Sequence, residues 1–226
     1  MIESAYKISQ VPYRYIAIEG PIGVGKTSLA KALAAHYKAS LIVEEPELNT
    51  FLPAFYRNES HSALAVQLSF LYQRVSKLKA LDDALLADTE QLFISDFILQ
   101  KEMLFSQLSM DKDTLALYEQ SQFNALSTVK QIPAPDLVVY LQADTQTLLQ
   151  RIHKRGVKEE LRITDEYLAA VNDAYAEFFH SYSDSPLLIV NANSIDWTLS
   201  QSDFLGLTDI LEQTINGTRF YNPIAA

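Results

Sequence analysis

Short apolar runs alternate with longer segments of helical periodicity along the chain. Runs that are apolar at nearly every position are 15–19, 40–44, 91–95, 136–142 and 186–191. A strand that is covered on both faces gives such a run, because neither face meets water. Segments with apolar residues three or four positions apart are 25–38, 62–87, 112–130, 143–155 and 164–182. The alternation predicts an α/β fold, in which a parallel sheet is flanked by helices on both faces.

The sequence shows no clear boundary between separate domains. Asp144 or Thr145 is well placed to cap the start of the fourth predicted helix. No repeat, low-complexity tract or Gly/Ser-rich linker interrupts the alternation. We therefore expect residues 1–226 to form a single domain, with loose termini at 1–13 and 217–226.

A glycine-rich turn joins the first predicted strand to the first predicted helix. It reads GPIGVGKT and satisfies G-x-x-x-x-G-K-[ST] in the strand–turn–helix context that this motif requires. Glycines let backbone N–H groups turn towards phosphate oxygens, and the helix N-terminus adds positive potential. We expect Lys26 to reach the β- and γ-phosphates of a nucleotide, and the Thr27 hydroxyl to ligate Mg²⁺. The predicted phosphate-binding residues are Gly20, Pro21, Ile22, Gly23, Val24, Gly25, Lys26, Thr27 and Ser28.

Motifs that the sequence lacks narrow the class of nucleotide-binding protein. There is no N-K-x-D with which a GTPase reads guanine, and no apolar strand ending in Asp-Glu as in motor-type ATPases. A small-molecule kinase remains, and such enzymes carry arginines that neutralise charge on the transferred group. Arg151 and Arg155 lie four positions apart, on one face of a predicted helix that Gly156 ends. They are the candidate phosphate-contacting arginines.

Carboxylates follow the second and third predicted strands. Glu44 and Glu45 end the second strand, and Asp96 lies just past the third. Ligands of α/β sheets bind at the carboxyl ends of strands. A kinase that acts on a hydroxyl needs a carboxylate to orient that hydroxyl and accept its proton, and Mg²⁺ needs another. Either role is open to these acids from their positions alone.

Gln67 lies in a segment, 63–72, that is apolar on nearly every helical face. The segment is therefore expected to be buried, and a buried amide needs hydrogen-bond partners. An amide presents a donor and an acceptor side by side, which suits the edge of a nucleobase. Arg74 lies seven positions further along, on the same face.

The composition excludes several other kinds of chemistry. The chain has no cysteine, so it has neither a disulfide framework nor a thiolate metal site, and its four histidines are scattered. A net charge of −10 disfavours nucleic acid and anionic membranes as partners. We see no signal-peptide pattern and no apolar run of membrane-spanning length, and we expect a cytoplasmic protein.

Together these motifs resemble the deoxyribonucleoside kinase family, from about residue 15 to 182 and more weakly to 215. IEGPIGVGKTSLA resembles the family's phosphate loop. EEPE resembles its Glu-Pro element, whose glutamate meets the 5′-hydroxyl of the substrate, and Glu45 matches that glutamate. Tyr56 and Gln67 match a sugar-binding tyrosine and a base-reading glutamine.

The resemblance extends to the base pocket and to a lid at about residues 151–163. Arg74 matches an arginine found in the base pocket of some members. RIHKRGVKEEL resembles the family's lid, with Arg151 and Arg155 as phosphate contacts. Glu160 matches a glutamate that helps to hold the 3′-hydroxyl of the sugar.

The region after the third strand departs from the family pattern. Many members have Glu-Arg-Ser or Asp-Arg where this chain has Ser95, Asp96 and Phe97. Asp96 is expected to take the acidic role, as a Mg²⁺ ligand, a proton acceptor or a nucleoside contact. Lys101 falls where some members have a base-contacting aspartate, and Phe70 would narrow the base pocket. The resemblance therefore implies no particular base.

What the resemblance implies is a kinase that uses ATP and Mg²⁺ to phosphorylate the 5′-hydroxyl of a deoxyribonucleoside in nucleotide salvage. It also implies a homodimer and a five-stranded parallel sheet in the order 2-3-1-4-5. One alternative is a nucleoside monophosphate kinase, such as a thymidylate kinase, which needs an arginine where this sequence offers acids and only Arg57. Another is a nucleotide-binding module without acceptor chemistry.

Overall fold

A six-stranded, wholly parallel sheet forms the centre of the molecule. The computed structural model describes residues 11–57, 59, 62–195, 197 and 200–223. The strands lie side by side in the order β2-β3-β1-β4-β5-β6. Their bounds are β1 Tyr15–Glu19, β2 Ser40–Ile42, β3 Phe93–Ser95, β4 Leu137–Gln142, β5 Leu187–Asn191 and β6 Thr218–Tyr221.

Helices connect successive strands and cover both faces of the sheet. The α-helices are α1 Lys26–Tyr37, α2 Leu52–Tyr56, α3 Ser62–Ala87, α4 Glu102–Ser109, α5 Lys112–Leu126, α6 Thr145–Arg155, α7 Asp165–His180 and α8 Gln201–Leu211. Short 3₁₀ turns are Pro46–Leu48, Leu99–Lys101 and Glu160–Arg162. No helix in the described ranges is both long enough and apolar enough to span a membrane.

The predicted α/β class and the order of the first five strands are confirmed. The sixth strand corrects the expectation of a loose terminus at 217–226, because Thr218–Tyr221 pairs in parallel with β5. Its sequence, TRFY, contains strand-favouring residues but is short and has no apolar run, and it forms an edge strand where β5 offers it a pairing partner. Residues 1–10 and 224–226 lie outside the described part.

The expectation of a loose N-terminus over residues 1–13 is also wrong at Tyr13. Tyr13 is buried, and its hydroxyl donates to the carbonyl of Gln213 at 2.8 Å and accepts from the N–H of Ile215 at 2.9 Å. These bonds join the start of the first strand to the segment after α8. That the chain forms a single domain stays a prediction.

Alternate residues of each strand point to opposite faces and build two apolar layers. On one face, Ile16 and Ile18 of β1 pack with side chains of α1, α6 and α8. On the other, Tyr15 and Ala17 pack with side chains of α3 and α7. Helix α5 packs on α3 through a third apolar cluster around Tyr118.

Capping residues place the helices that flank the site. Asp144 caps α6 by accepting from the N–H of Thr147, as its position in the sequence predicts. Thr164 caps α7 in the same way, by accepting from the N–H of Tyr167. Gly156, with φ of 69°, ends α6 in the left-handed conformation that glycine favours.

Candidate active site

A cavity of ≈ 200 Å³ lies beyond the carboxyl ends of the central strands. The phosphate loop and α3 form two of its walls. Segments that follow β2, β3 and α6 supply most of its charged groups. Among its lining residues are Lys26, Thr27, Glu44, Tyr56, Gln67, Phe70, Arg74, Asp96, Lys101, Phe105, Arg155, Glu160, Tyr167 and Tyr175.

The phosphate loop lies tightly against β4 and α6, which explains two of its glycines. A Cβ atom on Gly20 would lie 2.5 Å from the carbonyl oxygen of Leu141, and one on Gly23 would lie 2.9 Å from that of Leu148. Both residues also have positive φ, 149° and 85°. Only glycine fits such positions without moving the backbone. The sequence motif therefore produces the close-packed turn that it predicts.

The Lys26 side chain lies over this loop. Its Nζ donates to the carbonyl oxygens of Gly20 at 2.6 Å and Pro21 at 3.2 Å. Burial lowers the pKa of Lys26, while the negative charge of Glu19 opposes that change. The ammonium is thus held at the mouth of the loop, where the motif expects phosphate.

Of the two adjacent glutamates after β2, Glu44 is the one that lines the cavity. Its Oε1 accepts from Nε of Arg74 at 2.6 Å, and its Oε2 accepts from Nζ of Lys101 at 2.9 Å. Burial alone would raise the pKa of Glu44, but the charges of Arg74 and Lys101 outweigh it and lower that pKa to about 2. Glu44 is therefore ionised at neutral pH.

The Glu45 side chain points away from the cavity. Its Oε2 accepts from Nζ of Lys77 at 2.6 Å, and its side chain is 43% exposed against 16% for Glu44. It does not line the cavity. Consecutive residues of an extended segment face opposite sides, so only one of two adjacent glutamates can reach the site. The prediction that Glu45 meets the acceptor hydroxyl does not agree with this geometry.

Asp96 joins the phosphate loop to the segment after β2. Its Oδ1 accepts from the N–H of Glu44 at 2.8 Å, and its Oδ2 accepts from the Thr27 hydroxyl. Burial raises the pKa of Asp96, with the hydrogen bond from Thr27 acting against it. The two residues predicted to hold Mg²⁺ are therefore in direct contact. The described ranges contain no cluster of three or more acidic or histidine side chains that could hold a metal ion.

Arg74 and Lys101 each bridge two carboxylates, which the sequence did not reveal. Arg74 pairs with Glu44 and with Glu102. Lys101 pairs with Glu44 and lies 3.4 Å from Oε2 of Glu19. One sequence feature hints at a role for Glu19, which is the only charged residue in an apolar strand. No sequence feature distinguishes Glu102.

Aromatic side chains close the end of the cavity beneath the lid. Burial raises the pKa of Tyr56, and the nearby charge of Glu160 raises it further. Glu160 forms an ion pair with Arg155 of the lid. The Tyr167 ring lies edge-on to Phe55, with centroids 6.0 Å apart. The structure therefore brings Tyr56, Arg155 and Glu160 together, as the sequence predicts.

Gln67 occupies the wall formed by α3. Its side chain is 4% exposed, and within the described residues its amide makes no hydrogen bond. Phe70 lies on the same helix, with its ring 5.3 Å from the guanidinium carbon of Arg74. A buried amide that faces a cavity in this way is suited to a polar ligand.

Arg151 does not line the cavity, in contrast to Arg155. Its guanidinium donates to the carbonyl oxygens of Val24 at 3.2 Å, Ala192 at 2.6 Å and Ile195 at 2.8 Å. It therefore ties the phosphate loop to the segment after β5. Its guanidinium therefore has backbone carbonyl partners beside the phosphate loop, and its role as a phosphate contact stays a prediction.

A phosphate loop beside a largely buried carboxylate, in a cavity lined by both aromatic and charged side chains, is typical of a P-loop kinase for a small molecule. The model of the deoxynucleoside kinase family matches residues 16–216. The chain therefore belongs to the deoxynucleoside kinase family, as its motifs predict. The predicted activity, ATP-dependent phosphorylation of a deoxynucleoside, is confirmed at the level of the family.

Relatives of known activity support this assignment over most of their length. A deoxyguanosine kinase of Bacillus subtilis (strain 168) is 31% identical over 194 residues, which cover 84% of this chain and 92% of the relative. A deoxyadenosine/deoxycytidine kinase of the same organism is 25% identical over 206 residues, which cover 89% and 93%. A thymidylate kinase of Helicobacter pylori (strain Shi470) matches a shorter part, 68% of this chain, so the monophosphate-kinase alternative is not favoured.

A solved structure shows the same fold. Deoxyadenosine kinase from M. mycoides with bound dATP superimposes with a TM-score of 0.74 at 24% identity. The match covers 88% of this chain and all of that one (100%). The arrangement of strands and helices described above is therefore that of a deoxynucleoside kinase.

Proposed function

We propose that the protein transfers the γ-phosphoryl group of ATP to the 5′-hydroxyl of a deoxyribonucleoside, in nucleotide salvage in the cytoplasm. The observation that carries this proposal is the position of Glu44, an ionised and largely buried carboxylate in the same cavity as the phosphate loop. A carboxylate there can orient a hydroxyl and accept its proton as phosphate is transferred. The far end of the cavity combines aromatic side chains with the Arg155–Glu160 ion pair, which suits the ring faces and hydroxyl groups of a nucleoside.

Glu44 is proposed as the residue that orients and deprotonates the 5′-hydroxyl. Its low pKa makes it a weak base, but the transition state of phosphoryl transfer is loose and depends more on positioning than on base strength. Arg74 and Lys101 fix the carboxylate from two sides. They act in this proposal through Glu44, and they also lie where the nucleoside would bind.

The donor ATP is proposed to lie on residues 20–28, with its phosphates on backbone N–H groups. Lys26 and Arg155 supply positive charge that would stabilise the transferred group. Arg151 would support the loop through the carbonyl contacts described above. The overall charge of the protein is −10, so these local cations have to overcome its repulsion of ATP.

Mg²⁺ is proposed to bind at Thr27 and Asp96. Their contact across the phosphate loop places a hydroxyl and a carboxylate oxygen together, the oxygen donors that Mg²⁺ accepts alongside water and phosphate. Bound there, the ion would neutralise charge on the donor phosphates. Asp96 would thereby act on the donor, and Glu44 on the acceptor.

Gln67 is proposed to read the base, while Tyr56 and Glu160 hold the sugar. The Gln67 amide offers one donor and one acceptor to the edge of a base. Glu160 can accept from the 3′-hydroxyl of a deoxyribose, and its ion pair with Arg155 would link sugar binding to the lid.

A panel of acceptors with labelled ATP tests the proposed reaction. Deoxyadenosine, deoxyguanosine, deoxycytidine and thymidine would each be compared with their 5′-monophosphates. We expect labelled monophosphate from at least one nucleoside, and no diphosphate from any monophosphate. Label in diphosphates alone would make the protein a monophosphate kinase, and ATP binding without any labelled product would make it a binding module.

We also propose that the protein is a homodimer. Helix α5 exposes large apolar side chains, with Phe123 72% and Leu117 56% accessible. Exposed apolar side chains of this size are typical of an interface between subunits when they form a patch. Analytical ultracentrifugation should give twice the chain mass of 25.5 kDa, and a monomer at micromolar concentration would contradict this part of the proposal.

A further inference from the structure

A chain of buried polar contacts runs from α5 to Glu44. The Tyr118 hydroxyl donates to Oε2 of Glu102 on α4, and Oε1 of Glu102 accepts from Nη1 of Arg74 on α3. Arg74 then donates to Glu44 from Nε at 2.6 Å. Tyr118 and Glu102 are fully buried, and neither lines the cavity.

The position of Arg74 depends on both of its carboxylates. Nε and Nη2 of its planar fork serve Glu44, while Nη1 serves Glu102. A buried ion pair is favourable only when its geometry is good and its remaining hydrogen-bonding groups are satisfied. Glu102 satisfies its second oxygen with the Tyr118 hydroxyl.

The Tyr118 hydroxyl has no evident part in apolar packing. The ring lies in a cluster with Leu71, Val75 and Ala125, where phenylalanine would fit equally well. Burial raises the pKa of Tyr118, and the charge of Glu102 raises it further, so the hydroxyl keeps its proton and donates. Its contact with Glu102 is therefore the feature that a phenylalanine would lose.

We propose that Glu102 and Tyr118 are positioning residues for phosphoryl transfer. They hold Arg74 so that it fixes the orientation of Glu44, and they touch neither substrate. Without the Tyr118 hydroxyl, Glu102 keeps an unsatisfied buried oxygen, and its charge draws Arg74 towards α4 and away from Glu44. The inference rests on the proposed role of Glu44.

The first test is Tyr118→Phe, compared with Tyr37→Phe. Tyr37 is also buried, and its hydroxyl makes no hydrogen bond in the described part of the protein, which makes it a matched control. Because small displacements of a catalytic group are costly, Tyr118→Phe should lower kcat by roughly 3- to 10-fold. The KM for ATP should change by less than about twofold, since ATP loses no contact. Tyr37→Phe should retain wild-type kcat.

A double-mutant cycle with Glu44→Gln separates positioning from general structural damage. If Tyr118 acts through Glu44, then Tyr118→Phe should lower the residual rate of Glu44→Gln by less than about twofold. Glu102→Gln gives a second route to the same result, because it keeps the size of the side chain and removes the charge that holds Arg74. It should likewise lower kcat in the wild type and have little effect in the Glu44→Gln background.

Two results would overturn the inference while leaving the proposed function intact. One is wild-type kcat in both Tyr118→Phe and Glu102→Gln. The other is an equal fold-loss in the presence and absence of Glu44, which would mean that the network only supports the fold. Wild-type turnover by Glu44→Gln itself would instead remove Glu44 from the reaction, and the inference with it.

Discussion

At the scale of single residues, the charge on Glu44 links stability to function. Its pKa is lowered to about 2 by Arg74 and Lys101, which outweigh the opposing effect of burial. A carboxyl group whose pKa is lower in the folded state stabilises the fold above its unfolded pKa, and this stabilisation is lost as the pH falls towards the folded pKa. The relevant window therefore lies between about pH 4.5 and pH 2.

The lowered pKa of Glu44 predicts that the loss of folding stability in Glu44→Gln depends on pH. The variant should lower the free energy of unfolding by about 3 kcal/mol at pH 7, from the size of the pKa change. Its difference from wild type should shrink progressively below about pH 4.5, because the carboxyl group is then protonated in the unfolded chain while the folded state keeps it ionised down to about pH 2. Urea unfolding at pH 7, 4 and 3 measures this. A cost that is constant across this range would mean that the charge of Glu44 does not stabilise the fold.

Gln67 gives a second prediction at this scale. Removing its amide with Gln67→Leu should lower kcat/KM for the nucleoside by about 10²-fold or more, because the base would lose its paired hydrogen bonds. The KM for ATP should change little. Gln73→Leu is the control, since Gln73 lies on the same helix but does not line the cavity. Equal losses for both ligands would make Gln67 a structural residue.

Some site residues could be predicted from the sequence and others could not, because their positions depend on different features of the structure. The phosphate loop was predicted in full, because its glycines and its Lys-Thr pair have geometric roles that only those residue types fill. The choice between Glu44 and Glu45 depends on which way a strand end faces, and the adjacent Pro46 was a misleading guide. Glu102 and Tyr118 lie far from Glu44 in sequence, and only packing of α3, α4 and α5 brings them into one network.

At the scale of secondary-structure elements, apolar runs in the sequence predicted every strand that is buried on both faces. The edge strand β6 was missed, because its four residues alternate in exposure and contain no apolar run. Helices α2 and α4 were missed because each is short and follows a 3₁₀ turn. These elements matter for function, since α2 brings Tyr56 and α4 brings Glu102 to the site.

The segment after β5 offers a direct readout of donor binding. Trp197, the only tryptophan of the chain, is buried against the phosphate loop, with ring atoms 3.7 Å from where a Cβ on Gly25 would lie. Nucleotide bound on the loop should change the surroundings of its indole. We predict a saturable change in tryptophan fluorescence on titration with ATP and Mg²⁺, and a much smaller change with nucleoside alone. No change at saturating ATP would place the donor elsewhere.

At the scale of the whole molecule, the site is assembled at one edge of the sheet from distant parts of the chain. β1 supplies the phosphate loop, and the segments after β2 and β3 supply Glu44 and Asp96. Helices on one face of the sheet, α3 and α4, add Gln67, Arg74 and the buried carboxylate of Glu102. The groups proposed to hold the donor and those proposed to hold the acceptor therefore line one cavity, as transfer between two bound substrates requires.

Glu44, and not its neighbour Glu45, is the residue proposed to act on the acceptor hydroxyl. The most direct test is to compare kcat for Glu44→Gln and Glu45→Gln, two isosteric changes at adjacent positions. We predict that Glu44→Gln lowers kcat by about 10²- to 10⁴-fold with little change in ATP affinity, whereas Glu45→Gln stays near the wild-type rate. A large loss for Glu45→Gln together with near-normal turnover for Glu44→Gln would contradict the account.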